Sequence, residues 1–181
     1  TMITANISED TEENAFIVPD NNESWKYKDN ENIRIWMSKE FTINNIIYIN
    51  SKTGTSYGLG TKDTPVDTLE TAYKIANKRY NDNKEENKYY IVLQEDLTLT
   101  QSVVNTKLNE NVEVIITNKV ASDDIEYNTC FKINTGKFNF VGKTTIENIT
   151  IDTTAYSNSV EMLANGNEVT FGSGIVVNSQ A

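Results

Sequence analysis

The sequence predicts a mainly-β fold, a β-solenoid of short stacked strands with one capping α-helix. Residues 46–76, IIYINSKTGTSYGLGTKDTPVDTLETAYKIA, have the pattern of a strand, a glycine-containing loop and an amphipathic helix. Short β-prone segments follow from Tyr89 onward, separated by links rich in Asn, Asp, Gly and Thr. Only Asn165-Gly166 has the form of a tight hairpin turn. The links are therefore expected to join strands that stack on one another rather than hairpins.

The strand–loop–helix element has recognisable boundaries. The apolar run at 46–49 predicts a buried strand, and the three glycines that follow predict a loop. Thr64 can act as an N-cap and Pro65 suits the first helical position, which predicts a helix over about residues 65–79. One face of this helix is apolar and is expected to point inward; it carries Val66, Leu69, Ala72, Tyr73 and Ala76.

The later segments alternate apolar and polar residues, which is typical of half-buried strands. Their sequences are YYIVLQ, LTLTQSVV, VEVIIT, CFKI, KFNFVG, TIENITI, EMLA, NEVTF and GIVV. In TIENITI the alternation of Ile146, Ile149 and Ile151 has one slip of register. The last segment, GIVV, is followed by no polar capping element, so the solenoid is expected to be truncated at its C-terminal end.

Composition excludes several classes of function. The chain has 181 residues, a net charge of −10 and no histidine. A nucleic-acid-binding protein needs a basic face, so DNA and RNA are not predicted as partners of this acidic chain. Without histidine, neither a Ser-His-Asp nor a Cys-His mechanism is available.

No segment approaches the roughly 20 apolar residues of a membrane span. The lone Cys130 predicts a small buried side chain and no intrachain disulfide.

The chain divides into two parts by pattern. Residues 1–45 are predicted to form an N-terminal extension and strand-rich cap, and residues 46–181 the solenoid. Trp25, Tyr27 and Trp36 lie in the first part and are the candidate binding residues, as a sugar-stacking platform or a protein-binding hot spot. The alternative is that these aromatic side chains cover the open end of the solenoid core.

Residues 46–77, IIYINSKTGTSYGLGTKDTPVDTLETAYKIAN, resemble the start of a right-handed parallel β-helix of the pectin-lyase-like superfamily. Thr68, Leu69, Ala72 and Ala76 match the Thr-Leu and alanine-rich helix with which such proteins often open. Residues 162–177, MLANGNEVTFGSGIVV, resemble coils common in large bacterial surface proteins. The resemblance covers about residues 46–181 and implies the fold. It does not select an activity, because this superfamily includes lyases, hydrolases, adhesins and phage tailspikes.

A calcium site is the candidate metal centre, because polysaccharide lyases of this superfamily use carboxylate-bound calcium with a Lys or Arg base. The densest acidic group is Asp123, Asp124 and Glu126, and these are the candidate ligands. The alternative is a plain exposed loop. No other cofactor is predicted, and no arginine accompanies these carboxylates.

These observations favour a binding domain of a bacterial cell-surface or secreted adhesin-type protein that engages a host glycoprotein or glycan. The abundance of Asn, Ile, Lys and Tyr is typical of a low-GC Firmicute. The alternative function is a polysaccharide lyase or glycoside hydrolase fragment. The lack of a catalytic constellation favours the first hypothesis over the enzyme.

Overall fold

The computed structural model describes residues 14–17, 24–27, 45–121 and 125–180. The chain divides into two compact units, residues 1–43 and 44–181. In the first unit, strands β1 (Asn14–Ile17) and β2 (Ser24–Tyr27) pair antiparallel, with Phe16 opposite Trp25.

The second unit is mostly β with one helix among its described residues, so the mainly-β prediction is confirmed. The helix is α1 (Leu69–Asp82). The strands are β3 (Ile46–Ile49), β4 (Lys88–Leu93), β5 (Leu97–Leu99), β6 (Glu113–Thr117), β7 (Cys130–Ile133), β8 (Lys137–Asn139), β9 (Lys143–Ile146), β10 (Thr150–Asp152), β11 (Glu161–Leu163), β12 (Val169–Phe171) and β13 (Val176–Asn178).

All strand pairs of the second unit are parallel among the described residues, and they form three sheets. The five-stranded sheet has the order β12-β9-β6-β4-β3, the four-stranded sheet β13-β10-β7-β5, and the two-stranded parallel sheet β11-β8. From β7 onward the chain enters the four-stranded, two-stranded and five-stranded sheets in turn. In this part of the chain consecutive strands therefore belong to different sheets, which explains why the sequence lacks hairpin turns between them.

The core lies between the sheets and is organised in columns of stacked side chains. Parallel pairing places identical positions of successive strands side by side. In the five-stranded sheet this produces an isoleucine column, which consists of Ile47, Ile91, Ile116, Ile146 and Phe171. In the four-stranded sheet it produces a second column of Leu97, Phe131, Ile151 and Val177. Every member except Phe171 and Val177 is buried.

Helix α1 covers this core with Leu69, Ala72, Tyr73, Ala76 and Tyr80, all buried. Burial removes the Tyr73 hydroxyl from water and raises its pKa, and the Thr144 side chain on β9 partly offsets this rise. Thr144 is itself buried and faces the core. Its hydroxyl donates to the Gly142 carbonyl at 3.0 Å, which satisfies a polar group that would otherwise be costly to bury.

The predicted boundaries of this helix were wrong by three to four residues. The N-cap is Thr68, whose hydroxyl accepts the Thr71 N–H, and not Thr64. The reason is that Val66 is extended and pairs with β3: its N–H donates to the Tyr48 carbonyl, and its carbonyl accepts the Asn50 N–H. Because Val66 pairs with β3, the helix begins only at Leu69. The Val66 side chain is buried in the core, as expected.

The slip in TIENITI is a corner between two sheets. The segment was expected to be one strand, but β9 ends at Ile146 and β10 begins at Thr150 in a different sheet. Asn148 between them has a positive φ of 48°, a conformation that Asn tolerates better than most residues. The extra residue in the alternation lets Ile146 and Ile149 both face the core on either side of the corner.

Candidate binding surface

The glycine loop, residues 51–63, joins β3 to the segment before α1 and is held by its own hydrogen bonds. The Asn50 side-chain oxygen accepts the N–H groups of Lys52 and Thr53, both at 3.0 Å. The N–H groups of the three glycines donate to carbonyls of Asn50, Thr55 and Thr64. These N–H groups are thus engaged inside the loop and are not free to hold a phosphate.

The backbone of the loop also packs closely against the extended segment at Pro65 and Val66. A Cβ atom added to Gly58 would lie 2.1 Å from the Pro65 carbonyl oxygen. A Cβ atom added to Gly54 would lie 2.2 Å from the Val66 carbonyl oxygen. Only glycine allows this approach, so the loop depends on glycine at both positions.

Arg79 ties the loop to the rest of the unit. Its guanidinium donates to the Ile46 carbonyl at 2.8 Å and to the Leu59 carbonyl at 3.0 Å. The group is largely withdrawn from water, and this burial lowers its pKa. One side chain thereby joins the last turn of α1 to the start of β3 and to the glycine loop.

This fixed loop displays two apolar side chains to solvent. Tyr57 is 93% exposed and Leu59 is 52% exposed. A well-ordered loop loses little conformational entropy when it binds, and exposed tyrosine is enriched at the energetic centres of interfaces. The glycine loop is therefore the candidate binding surface in the described part of the chain. The sequence contains a signal for this surface, a tyrosine and a leucine between glycines in TSYGLG. The prediction from the sequence treated this segment only as a loop.

The aromatic residues predicted for binding lie in the first unit. Trp25 and Tyr27 belong to β2, where Trp25 is opposite Phe16 and Tyr27 opposite Asn14. Trp36 lies outside the described residues. The prediction of a platform formed by these three residues stays a prediction.

The predicted calcium ligands are only partly described. Asp123 and Asp124 lie outside the described residues, and Glu126 is exposed and forms an ion pair with Lys119 at 3.1 Å. Within the ranges that the structure describes, no three Asp, Glu or Cys side chains are grouped as metal ligands would be. The calcium site stays a prediction.

An ionisable cluster lies on the outer face of the four-stranded sheet, where alternate residues of its strands point away from the core. It consists of Asp96, Cys130, Lys132 and Asp152. Lys132 donates to Asp96 at 2.6 Å, and this hydrogen bond is the main cause of the lowered pKa of Asp96 and the raised pKa of Lys132. Two hydrogen bonds from Thr154 lower the pKa of Asp152.

These shifts stabilise the charged forms of all three groups. A general acid near neutral pH needs a carboxyl with a raised pKa, and a lysine base needs a lowered one. The cluster has the opposite shifts. Burial, followed by the charge of Asp96, raises the pKa of the half-buried Cys130 thiol, which disfavours a reactive thiolate.

A ladder of alternating charge crosses the outer face of the five-stranded sheet and was missed from the sequence. Glu113 lies 3.7 Å from Lys88 and 3.5 Å from Lys143, and Lys143 lies 3.3 Å from Glu168. Lys88, Glu113 and Lys143 begin successive strands of this sheet, and Glu168 immediately precedes β12. Opposite charges on neighbouring parallel strands favour this register over a shifted one.

No protein-family model, curated protein or solved structure matches this chain closely enough to indicate a relationship. Within the described residues, no helix combines the length and apolar character that crossing a membrane requires.

We predict that Gly58→Ala destabilises the second unit by more than about 1 kcal/mol, because the new Cβ collides with a backbone carbonyl that cannot move independently. Thermal unfolding followed by circular dichroism measures the effect. Gly136→Ala is the matched control, since the three atoms nearest to its Cβ would all belong to the Tyr156 side chain, which can rotate away. Equal stability of the two variants would contradict the packing described for the loop.

The Asp96–Lys132 ion pair predicts a specific dependence on acid. The pKa of Asp96 is lowered in the folded state from its ordinary value of 3.8, so its contribution to stability is present above that value. The contribution is lost as the pH falls through the folded-state pKa. Asp96→Asn is expected to lower the melting temperature at pH 7 and to make the loss of stability below pH 4 less steep.

Glu110→Gln is the control for this measurement, because Glu110 is exposed and forms no ion pair among the described residues. It is expected to leave the melting temperature at pH 7 unchanged. If both variants respond alike between pH 7 and pH 3, the ion pair does not contribute to folded-state stability.

Proposed function

We propose that residues 46–181 belong to a right-handed parallel β-helix of the pectin-lyase-like superfamily. The support is that the strands are parallel and that the chain enters three sheets in turn. Connections between parallel strands of one sheet are right-handed in about 98% of cases, which supports the handedness. The motif at residues 46–77 supports the superfamily.

Within that fold we propose a binding module of a bacterial cell-surface or secreted adhesin-type protein that engages a host glycoprotein or glycan. The observation that carries this proposal is the glycine loop, which holds Tyr57 and Leu59 exposed on a hydrogen-bonded backbone. A projecting aromatic and aliphatic pair fits a pocket on a partner better than it lines a groove for a sugar chain. The protein part of a host glycoprotein is therefore the favoured ligand.

The alternative of a polysaccharide lyase or glycoside hydrolase has weaker support. Its best candidate group in the described residues is the cluster of Asp96, Lys132 and Asp152, and each pKa there is shifted away from the value that acid–base catalysis needs. We therefore favour a binding function over an enzymatic one.

Binding to arrays of host glycoproteins and free glycans tests this proposal. We predict that Tyr57→Ala weakens binding of the recognised glycoprotein at least about 10-fold, since exposed aromatic anchors dominate interface energies. Val176→Ala is the matched control, because Val176 is also an exposed apolar residue but lies on β13. Enzymatic deglycosylation of the ligand should leave most of the affinity.

Three results would contradict the proposal. One is the absence of any ligand on broad arrays, and another is equal affinity for the Tyr57→Ala variant and the unchanged chain. The third is cleavage of a pectin or related polysaccharide with release of unsaturated sugars, which would favour the enzyme alternative.

A further inference from the structure

The corner between β11 and β12 carries an Asn165-Gly166 pair, the one Asn-Gly sequence in the chain. Asn165 has a φ of 52° and Gly166 a φ of 81°, the left-handed conformation that these two residue types tolerate best. Both residues are exposed, and apart from its chain neighbours nothing lies within 4 Å of a Cβ atom added to Gly166. The pair is therefore the solvent-facing tip of this corner.

The base of the turn is anchored, while two chemically important groups at its tip are not. The Asn167 side chain donates to the Phe140 carbonyl at 2.8 Å and to the Ala164 carbonyl at 3.0 Å. The Asn167 N–H also donates to the Ala164 carbonyl, at 2.9 Å. Within the described part of the chain, the Gly166 N–H donates no hydrogen bond and the Asn165 side-chain amide takes part in none. Both groups are thus open to solvent and unengaged.

Two other asparagines are held differently. Asn50 is followed by a small residue, but its side-chain oxygen accepts two backbone N–H groups of the glycine loop. Asn148 also has a positive φ, but it is followed by the buried and β-branched Ile149. Asn165 differs from both, because its side chain is unengaged and the residue that follows it has no side chain.

We infer that Asn165 is a site of spontaneous modification, at which its side-chain amide is converted to a carboxylate through a cyclic imide with Gly166. Asparagine is among the thermolabile residue types. A following glycine offers the least hindrance to this reaction, because it has no Cβ atom beside its own nitrogen. The one co-reactant is water, which has access to an exposed turn.

The reaction has two steps. In the first, the Gly166 nitrogen loses its proton to solvent base and attacks the Cγ atom of Asn165. The new N–Cγ bond closes a five-membered imide ring, the bond from Cγ to the side-chain nitrogen breaks, and that nitrogen leaves as ammonia after taking a proton from solvent. In the second step, a water molecule adds to either imide carbonyl and one of the ring C–N bonds breaks. Neither step oxidises or reduces any atom.

The two directions of ring opening give two products. Opening at the former side-chain carbonyl gives aspartate, and opening at the main-chain carbonyl gives isoaspartate, whose main chain runs through the side-chain methylene. Each product adds a negative charge at the corner, and isoaspartate also lengthens the backbone there. We expect the Asn167 hydrogen bonds to keep the base of the turn in place, so that the exposed surface changes and the stacked core does not. The inference is independent of binding at the glycine loop.

Peptide mapping by mass spectrometry, after incubation of the whole chain in mildly alkaline buffer, tests this inference. We expect Asn165 to exchange NH2 for OH at least about tenfold faster than Asn158, which is also exposed but is followed by Ser159, whose side chain hinders the attack. Separate product peaks are expected for aspartate and isoaspartate. Asn118 is the buried reference, and its hydrogen bonds to Thr129 should leave it unmodified.

Gly166→Ala is the matched variant, because its methyl group hinders the nitrogen of residue 166 and contacts nothing else nearby. It should slow the conversion of Asn165 at least about tenfold and leave the rate at Asn158 unchanged. Alanine is strained at a positive φ, so the melting temperature of the variant is measured in parallel to verify that it folds.

A synthetic peptide of residues 160–171 supplies the unfolded reference. The folded chain should convert Asn165 at a rate within about tenfold of the peptide's rate, because no hydrogen bond of either reacting group has to open first. This comparison needs no variant and separates the effect of the folded turn from that of the Asn-Gly sequence alone.

Three results would overturn the inference. One is an unmodified Asn165 in the folded chain under conditions that convert the peptide, since the turn would then protect it. Another is equal conversion of Asn158 and Asn165. The third is formation of aspartate without isoaspartate, which would mean that water hydrolyses the side-chain amide directly and that the Gly166 nitrogen takes no part.

Discussion

In-register stacking of apolar side chains between parallel strands is the constraint on which the second unit depends. The isoleucine column places equivalent side chains of β3, β4, β6, β9 and β12 against one another. Burying one isoleucine or phenylalanine contributes about 1.5–3 kcal/mol, and a register shift of one residue would turn a whole strand's apolar set to solvent. The columns thereby select one register for every strand, and the outer charge ladder from Lys88 to Glu168 favours the same one.

The other features of this unit follow from the columns. Helix α1 packs Leu69, Ala72 and Ala76 over the core, and its Tyr73 side chain is buried with them. The glycine loop fits against Val66 because that residue pairs with β3 beside the isoleucine column. The exposed Tyr57 thus sits on a loop whose position is determined by the core.

The sequence predicted the inward face of most strands, because alternation of apolar and polar residues is a local property. Alternation could not predict the corners at which the chain leaves one sheet and enters another. The step from Ile146 to Ile149 looks like an error in alternation, and only the positive φ of Asn148 and the change of sheet explain it. The start of α1 was misplaced for a related reason: Thr64-Pro65 is a good local helix start, but pairing of Val66 with β3 is a long-range interaction. The charge ladder likewise depends on which strands become neighbours. The exposure of Tyr57 depends on how the glycine loop packs against Val66.

A single engineered disulfide tests the stacking of successive strands most directly. Thr150 on β10 is in register with Cys130 on β7, on the outer face of the four-stranded sheet. Neighbouring strands lie about 4.8 Å apart, within the Cα separation that a disulfide spans. We predict that Thr150→Cys forms an intramolecular disulfide with Cys130 under mild oxidation, detected by loss of both free thiols in a monomer. Asp152→Cys, two residues out of register, is expected not to form one. Two free thiols in the Thr150→Cys protein, or equal cross-linking of both variants, would contradict it.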